Sequence, residues 1–464
     1  MESTKPLQLV PPSVPPPLDP AFRPAILANR FFQERATESG AAPLTIAIEQ
    51  ADGSVFHHST AIFPDSDPAS RENFRYVERL IKFLLWSRGG FRVFLSGAPE
   101  LGRQLRDHFG TSPTSCFDAN IMGSRIYEHP FAVAVAPVLP APKSTSQPLG
   151  RHLQGCRIGF DLGGSDRKVA AVMDGKCVFS EEDVWSPVTQ TDPQWHFDQI
   201  QESLRKAAGQ MPRVDAIGGS SAGVYVNNRV KVASLFRGVP PDLFEKRVKN
   251  LFLELKAAWG NIPFEVANDG EVTALAGSMA LGKNAVLGLA MGTSMAAGYV
   301  TPDGNITTWL NELAFAPIDY NPDAPMDEWS GDRGCGVQYF SQQAVGRLLV
   351  PAGIDVDPAL SLPEKLLFVQ NRMKAGDERA VRIYETIGIY LCYGLAHYAD
   401  FYDYENVLVL GRVTTGAGGD LILEKAREIL KAEFPSLFQR VQFHVPDEKD
   451  KRHGQAIAAA SLPA

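Results

Sequence analysis

Hydrophobic positions along this chain change period repeatedly, and each change marks an element. Residues 44–49 and 55–63 alternate apolar and polar side chains around Asp52-Gly53, the pattern of a hairpin with a tight turn. Residues 72–86 switch to a helical period, with Phe74, Val77, Leu80, Ile81 and Leu84 on one face. Phe91-Arg-Val-Phe-Leu95 reads as a buried strand and residues 99–109 as another helix. From residue 155 the order hairpin, helix, strand begins again, with strands at 157–162, 168–173 and 176–180, a helix at 197–208 and a strand at 214–218. The strand closing each unit runs into glycine, Leu95-Ser-Gly97 and Ile217-Gly-Gly219. A degenerate internal repeat and two unrelated α/β units both fit that pattern.

Beyond this point the periods predict a helix over 241–259, a strand at 263–267, a helix at 270–281, a hairpin at 286–300 and a loop-rich stretch to 335. Helices over 336–349 and 377–401 follow, then a strand at 407–410, a helix at 418–431, a strand at 442–445 and a helix of small residues at 453–460. Strands alternating with helices predict α/β architecture, with a largely parallel sheet covered on both faces. Residues 1–42 read as a proline-rich tail, 43–136 as an N-terminal α/β domain and 137–154 as a linker.

Composition removes several classes of function. The 464 residues carry a net charge of −8, which does not suggest a nucleic-acid surface. Arg71, Arg75, Arg79 and Arg88 read as a solvated helix face, and no basic recognition helix precedes residue 155. Five scattered cysteines with no CxxC pair argue against a disulfide framework and for a reducing compartment. With no apolar signal core and no membrane-length apolar run, the expectation is a cytoplasmic protein without a membrane partner.

Four stretches carry candidate chemistry. In Ile158-Gly-Phe-Asp-Leu-Gly-Gly-Ser165, Asp161 ends a strand and Gly163 and Gly164 remove two Cβ atoms, letting backbone N–H groups approach an anion, with the Ser165 hydroxyl beside them. A carboxylate beside a phosphate cradle suits Mg²⁺ held through water. Asn268-Asp269 lies where a strand meets a helix; Asp269 there is either a helix cap or a general base facing a cleft. Gly292-Thr-Ser294 forms a second bend with phosphate-binding donors. Val407-Leu-Val-Leu-Gly411, running on to Gly418-Gly419, is a strand entering a glycine loop against which a flat ring such as adenine could lie.

The order of these stretches resembles the sugar kinase, actin and heat-shock ATPase superfamily, and more narrowly the ROK family (repressors, open reading frames, kinases). Asp161-Leu-Gly-Gly-Ser165, Asn268-Asp269, Met291-Gly-Thr-Ser294, Gly334-Cys335 with Tyr339 and Ser341, and Gly454-Gln-Ala-Ile-Ala-Ala-Ala460 resemble the family's motifs in order. The match covers roughly 155–464. It implies a two-lobed actin-like (ribonuclease H-like) ATPase fold, with lobes at 155–268 and 269–464 and the N-terminal domain as an addition. It also implies an ATP- and Mg²⁺-dependent carbohydrate kinase, possible as a homodimer, with Asp269 as the base and Asp161 near the metal. Gly163, Gly164, Ser165, Gly292, Thr293 and Ser294 would hold phosphates. Gly411, Gly418 and Gly419 would line the adenosine pocket, and Asn268, Glu312, Gly219 and Gln338 would meet the sugar or polyol.

The departures from the family pattern are as informative. Phe315 replaces the histidine of the family's Glu-x-x-His, and Glu328-Trp-Ser-Gly-Asp-Arg-Gly-Cys335 keeps one of three zinc cysteines. One thiol without the histidine cannot make a tetrahedral site, so no structural zinc is expected. Asp327, Trp329, Asp332 and Arg333 are candidate replacement contacts to the substrate, or else parts of a solvated loop. The lost ligands keep open an alternative, a non-catalytic sugar or nucleotide sensor built on the same framework.

Overall fold

The computed structural model describes residues 6–144, 148–445 and 448–464, with backbone alone for 448–453. Part of the closing helix expected at 453–460, and the middle of the linker, therefore lie outside the described side chains. The N-terminal unit begins with helix α1 (Ala25–Glu38), followed by strands β1 (Ala42–Glu49) and β2 (Val55–Ile62), helix α2 (Asn73–Arg88), β3 (Arg92–Ser96), α3 (Pro99–Thr111), α4 (Pro113–Asn120) and β4 (Ala132–Val135). Its sheet has the order β2-β1-β3-β4.

Residues 6–38 are more than a tail. Leu7, Leu18 and Phe22 are buried, and the Phe22 ring meets Tyr390 edge-on at 4.8 Å. Burying one such ring contributes about 1.5–3 kcal/mol. Asp19 accepts hydrogen bonds from Arg347 at 3.1 Å and Tyr390 at 2.5 Å, which fastens the strap to the far end of the chain. The segment turns at Pro16–Asp19 and again at Asp19–Phe22, and α1 then buries Ala25, Ile26, Phe32 and Ala36.

The second unit holds β5 (Cys156–Leu162), β6 (Asp166–Met173), β7 (Lys176–Val184), α5 (Pro193–Ala208), β8 (Ala216–Ser221), β9 (Val224–Val226) and β10 (Arg229–Val232). The helix expected over 241–259 is broken at Arg247 into α6 (Pro241–Lys246) and α7 (Leu251–Ala258). Strand β11 (Phe264–Asn268) completes a five-stranded sheet of order β11-β8-β5-β6-β7. Here β5 pairs β8 in parallel, whereas in the N-terminal unit β1 pairs β3 antiparallel. The two units share element order but not the sense of pairing across the helix.

The third unit runs through α8 (Asp269–Leu281), β12 (Val286–Met291), β13 (Met295–Val300), α9 (Gln342–Leu348), α10 (Leu362–Lys374), α11 (Glu378–Tyr398), β14 (Asn406–Leu410), α12 (Gly416–Glu433), α13 (Pro435–Arg440) and β15 (Gln442–His444). Its sheet has the order β13-β12-β14-β15. The closing helix α14 (Glu448–Ala460) returns to the second unit: an added Cβ at Gly159 or Gly218 would fall 1.7 Å from a backbone carbonyl oxygen of that helix. Bare glycine backbone is what lets the helix lie flat on β5 and β8.

One apolar core joins Leu44, Ile81 and Val93 of the N-terminal unit to Leu289, Tyr339 and Ile387 of the third. Helix α2 lies inside this core. The reading of its arginines as a solvated face is therefore corrected: Arg79 and Arg88 are each only 2% exposed. Among the described residues, no helix is long and apolar enough to cross a membrane.

Candidate functional site

Parallel strands bring the candidate residues to one sheet edge. Asp161 is level with Ser220, and Asn268 with Ser221, so β5, β8 and β11 end together. Ser220 donates a hydrogen bond to Asp161 Oδ1 at 2.7 Å. Gln455 Nε2 donates to Ser220 Oγ at 2.8 Å and to the Asp269 carbonyl at 3.4 Å, so the closing helix ties the two aspartates together. Burial pushes the Asp161 carboxyl up to about 6, opposed by Ser220 and Lys168 and assisted by the charge of Asp269. Lys168 Nζ stands 3.9 Å from Asp161 Oδ2. Ser220 and Gln455 were not among the expected site residues; Gln455 does fall within the Gly454–Ala460 segment that resembles the family.

The first bend forms as expected, between β5 and β6. Gly163 N–H donates to the Asp166 carbonyl at 2.9 Å, and open space faces Gly164. The Ser165 hydroxyl donates to Asp166 Oδ2 at 3.0 Å and is spent within the turn.

Asn268, not Asp269, caps α8. Its Oδ1 accepts from Gly270 N–H at 2.7 Å, while its Nδ2 donates to the Gly223 carbonyl at 2.8 Å. Asp269 Oδ1 also accepts from Gly270 N–H, at 3.0 Å, and burial raises its pKa against that bond. An added Cβ at Gly270 would fall 2.6 Å from the Ala297 carbonyl oxygen, so the start of α8 lies directly on β13 of the second hairpin.

Gly292, Thr293 and Ser294 form the second bend, with both hydroxyl residues exposed. Gly411, at φ +104°, lies against the Met291 backbone, where an added Cβ would be 2.5 Å from the carbonyl oxygen. The second bend and the glycine loop are therefore neighbours. Gly418 faces the Tyr384 ring in a cavity of about 210 Å³ between α10, α11 and α12. Gly419 does not line that cavity; it is buried against the Thr414 carbonyl.

A larger cavity of about 480 Å³ is lined by Asn268, Glu271 and Glu312, by Gly223 and Tyr225, and by Gln50 of the N-terminal unit. Two expected substrate residues lie elsewhere. Gly219 is buried over the Phe160 ring, and Gly223 is the glycine that reaches the cavity. Gln338 is buried and donates to Gln343 Oε1 at 2.6 Å.

Burial pushes Glu312 up to about 7, with the Asp269 charge adding to it. Burial likewise pushes Glu271 up to about 8; Asn311 Nδ2 opposes this by donating at 2.7 Å, and Glu312 assists it. An unfolded glutamate titrates near 4.3, so between about pH 5 and 8 the folded chain holds protons that the unfolded chain has released, and stability falls as pH rises. Glu271→Gln keeps the acceptor for Asn311 and removes this titration. The variant should lose less melting temperature than the wild type between pH 5 and 8 in scanning calorimetry; an unchanged slope would contradict the assignment.

Where the ROK pattern places zinc, the donor set does not fit it. Phe315 packs on Trp86 at 4.5 Å and Trp329 at 4.9 Å. The Cys335 thiol is buried, and its pKa is raised by burial despite nearby Lys82. Asp332 pairs with Arg79 at 2.9 Å and Lys82 at 2.7 Å. Burial opposes its ionisation, but the two cations outweigh burial and hold it well below the usual carboxylate range. Asp327 accepts from Ser330, and Arg333 donates to the Ala324 carbonyl. Asp327 and Asp332 are buried and join the loop internally and to α2, whereas Trp329 and Arg333 are exposed, as in a solvated loop.

Among solved structures, the fold is similar to that of the ROK hexokinase of Thermus thermophilus, with a TM-score of 0.51 and 20% identity, over 66% of this chain and 97% of that one. The chain has the two-lobed ROK fold. A ROK family transcriptional regulator, a homolog of the E. coli MLC protein, matches with a TM-score of 0.51 and 18% identity, over 67% of this chain and 79% of that one. No family model matches the chain, and no curated protein does. Because the ROK fold is common to a hexokinase and a regulator, the function has to be argued from the site.

Proposed function

We propose that the protein is a kinase that transfers the γ-phosphoryl group of ATP to a hydroxyl of a carbohydrate or polyol. The observation that carries this is the hydrogen-bonded chain from the Asp161 carboxyl through Ser220 and Gln455 to the main-chain carbonyl of Asp269, beside a cavity that Asn268 and Glu312 line. ATP would lie with its phosphates between the bends at Gly163 and Gly292 and its base near Gly418. Asp161 is the residue suited to Mg²⁺, which would neutralise phosphate charge when bound. Asp269 takes the proton of the acceptor hydroxyl as that oxygen bonds to phosphorus; the bond to the ADP oxygen breaks and ADP leaves. Closure of the lobes would exclude water as a competing acceptor.

A second reading, a sugar-binding protein without turnover, is favoured by the Ser165 hydroxyl being engaged by Asp166 inside the first bend. The two readings separate in a coupled ADP-release assay with Mg-ATP and a panel of neutral and acidic sugars and polyols. The kinase reading predicts ADP release that depends on one acceptor class. Acceptor binding with no release above background would sink it in favour of the sensor.

A further inference from the structure

The acceptor cavity does not end at Trp309. A second cavity, of about 350 Å³, shares Gln50, Thr307, Thr308 and Trp309 with it as a common wall. The two ends have opposite character. Asp52, Glu265, Glu271 and Glu312 line the first, whereas the second has Arg88 and Lys143 and, among the described residues, no acidic residue in its lining.

Arg88 is unusual among the buried cations. It sits on α2 with Arg79, and each is 2% exposed. Arg79 is paired with Glu78 and Asp332. Among the described residues, Arg88 has the Phe401 carbonyl for Nη2 and no hydrogen-bond partner for Nε or Nη1. Its guanidinium carbon lies 3.5 Å from the Trp309 ring centroid, 4.6 Å from Tyr402 and 4.7 Å from Phe56. These rings steer the cation without neutralising it. A buried charge of this kind is ordinarily matched by an opposite charge. Lys143 stands at the outer side, its backbone fixed to Val55 by hydrogen bonds of 2.8 and 3.0 Å and its ammonium near the Gly53 turn.

We infer that this second cavity is an anion subsite, and that the acceptor is a carbohydrate carrying a carboxylate or phosphate group that Arg88 and Lys143 receive. The inference rests on the proposed use of the first cavity for the acceptor. The hydroxyl end would lie among Asn268 and Glu312, the ring against the wall at Trp309, and the anionic group beside Arg88. It also assigns a role to the N-terminal unit, which supplies Arg88, Gln50 and the β1–β2 turn to the cleft.

Calorimetric titration without nucleotide tests this, using D-glucuronate, D-glucose 6-phosphate and D-glucose against the wild type, Arg88→Met and Lys143→Met. At least one acid should bind ten times more tightly than D-glucose, and added salt should reduce the difference. Preference for glucuronate would identify a carboxylate as the anion, and preference for the phosphate ester a phosphate. Both substitutions should lower the acid-over-neutral ratio about tenfold. Lys143 is exposed, so Lys143→Met still reads out if Arg88→Met fails to fold. Acids binding no more tightly than D-glucose, or a ratio unchanged in the folded variants, would overturn the subsite. Because no ATP is present, acid binding in a protein that never releases ADP would defeat the kinase reading alone. Turnover of neutral sugars with no preference for acids would defeat the subsite alone.

Discussion

Asp269→Asn should lower kcat by two to four orders of magnitude while leaving nucleotide affinity close to that of the wild type. A positioned general base typically contributes about 10²–10⁴-fold. The substitution is a clean one, because Asn268 already caps α8 and an asparagine at 269 keeps an oxygen for the Gly270 N–H that Asp269 Oδ1 accepts at 3.0 Å. The fold should therefore persist, and circular dichroism and melting temperature can confirm it. In the wild type, kcat/KM should rise as pH rises through the acid range. Asp269 acts only when ionised, and burial raises the pH at which ionisation occurs. Near-normal turnover in the variant would remove Asp269 from the chemistry.

The largest stability effect is expected at Asp332. Asp332→Asn leaves Arg79 and Lys82 buried without the carboxylate that lies 2.9 and 2.7 Å from them. Breaking a buried pair from one side costs about 3–5 kcal/mol, because the remaining charge stays desolvated. Urea unfolding should show a loss of that order, or the variant should fail to accumulate. Arg103→Gln, which breaks the exposed pair with Glu100, should leave the midpoint where it was. A midpoint for Asp332→Asn equal to the wild type would show that α2 and the 327–335 loop are not held by this network. The same network explains how the loop keeps its shape with donors that cannot hold zinc.

The parts of the site legible from the chain were those whose chemistry is local. Asp161 with its glycine bend, the Asn268-Asp269 junction and the second bend at Gly292 each declare themselves within a few residues, and sheet register sets Asp161 and Asn268 at the ends of the strands on either side of β8. Partners distant in sequence were not legible. Arg79 and Asp332 are 253 positions apart, and a helix bearing arginines reads the same whether its charges meet water or buried carboxylates. Sheet register decides between Gly219 and Gly223, which the sequence treats alike. Gly219 lies within β8 and packs on Phe160, whereas Gly223, at φ +131°, stands past the strand end. Helix α10 was a missed signal rather than a hidden one: Ser361 and Glu364 form a capping box with Pro363 in the first turn. The cationic end of the cleft had no local signature, since Arg88 meets Trp309 only through tertiary packing.

A crystal structure with Mg²⁺, a non-hydrolysable ATP analogue and a bound acceptor would test the central claim most directly. The account predicts the γ-phosphate between the bends at Gly163 and Gly292, with an acceptor hydroxyl within about 3.2 Å of the Asp269 carboxyl. A nucleotide bound away from both bends, or an acceptor whose hydroxyls lie out of reach of Asp269, would contradict it.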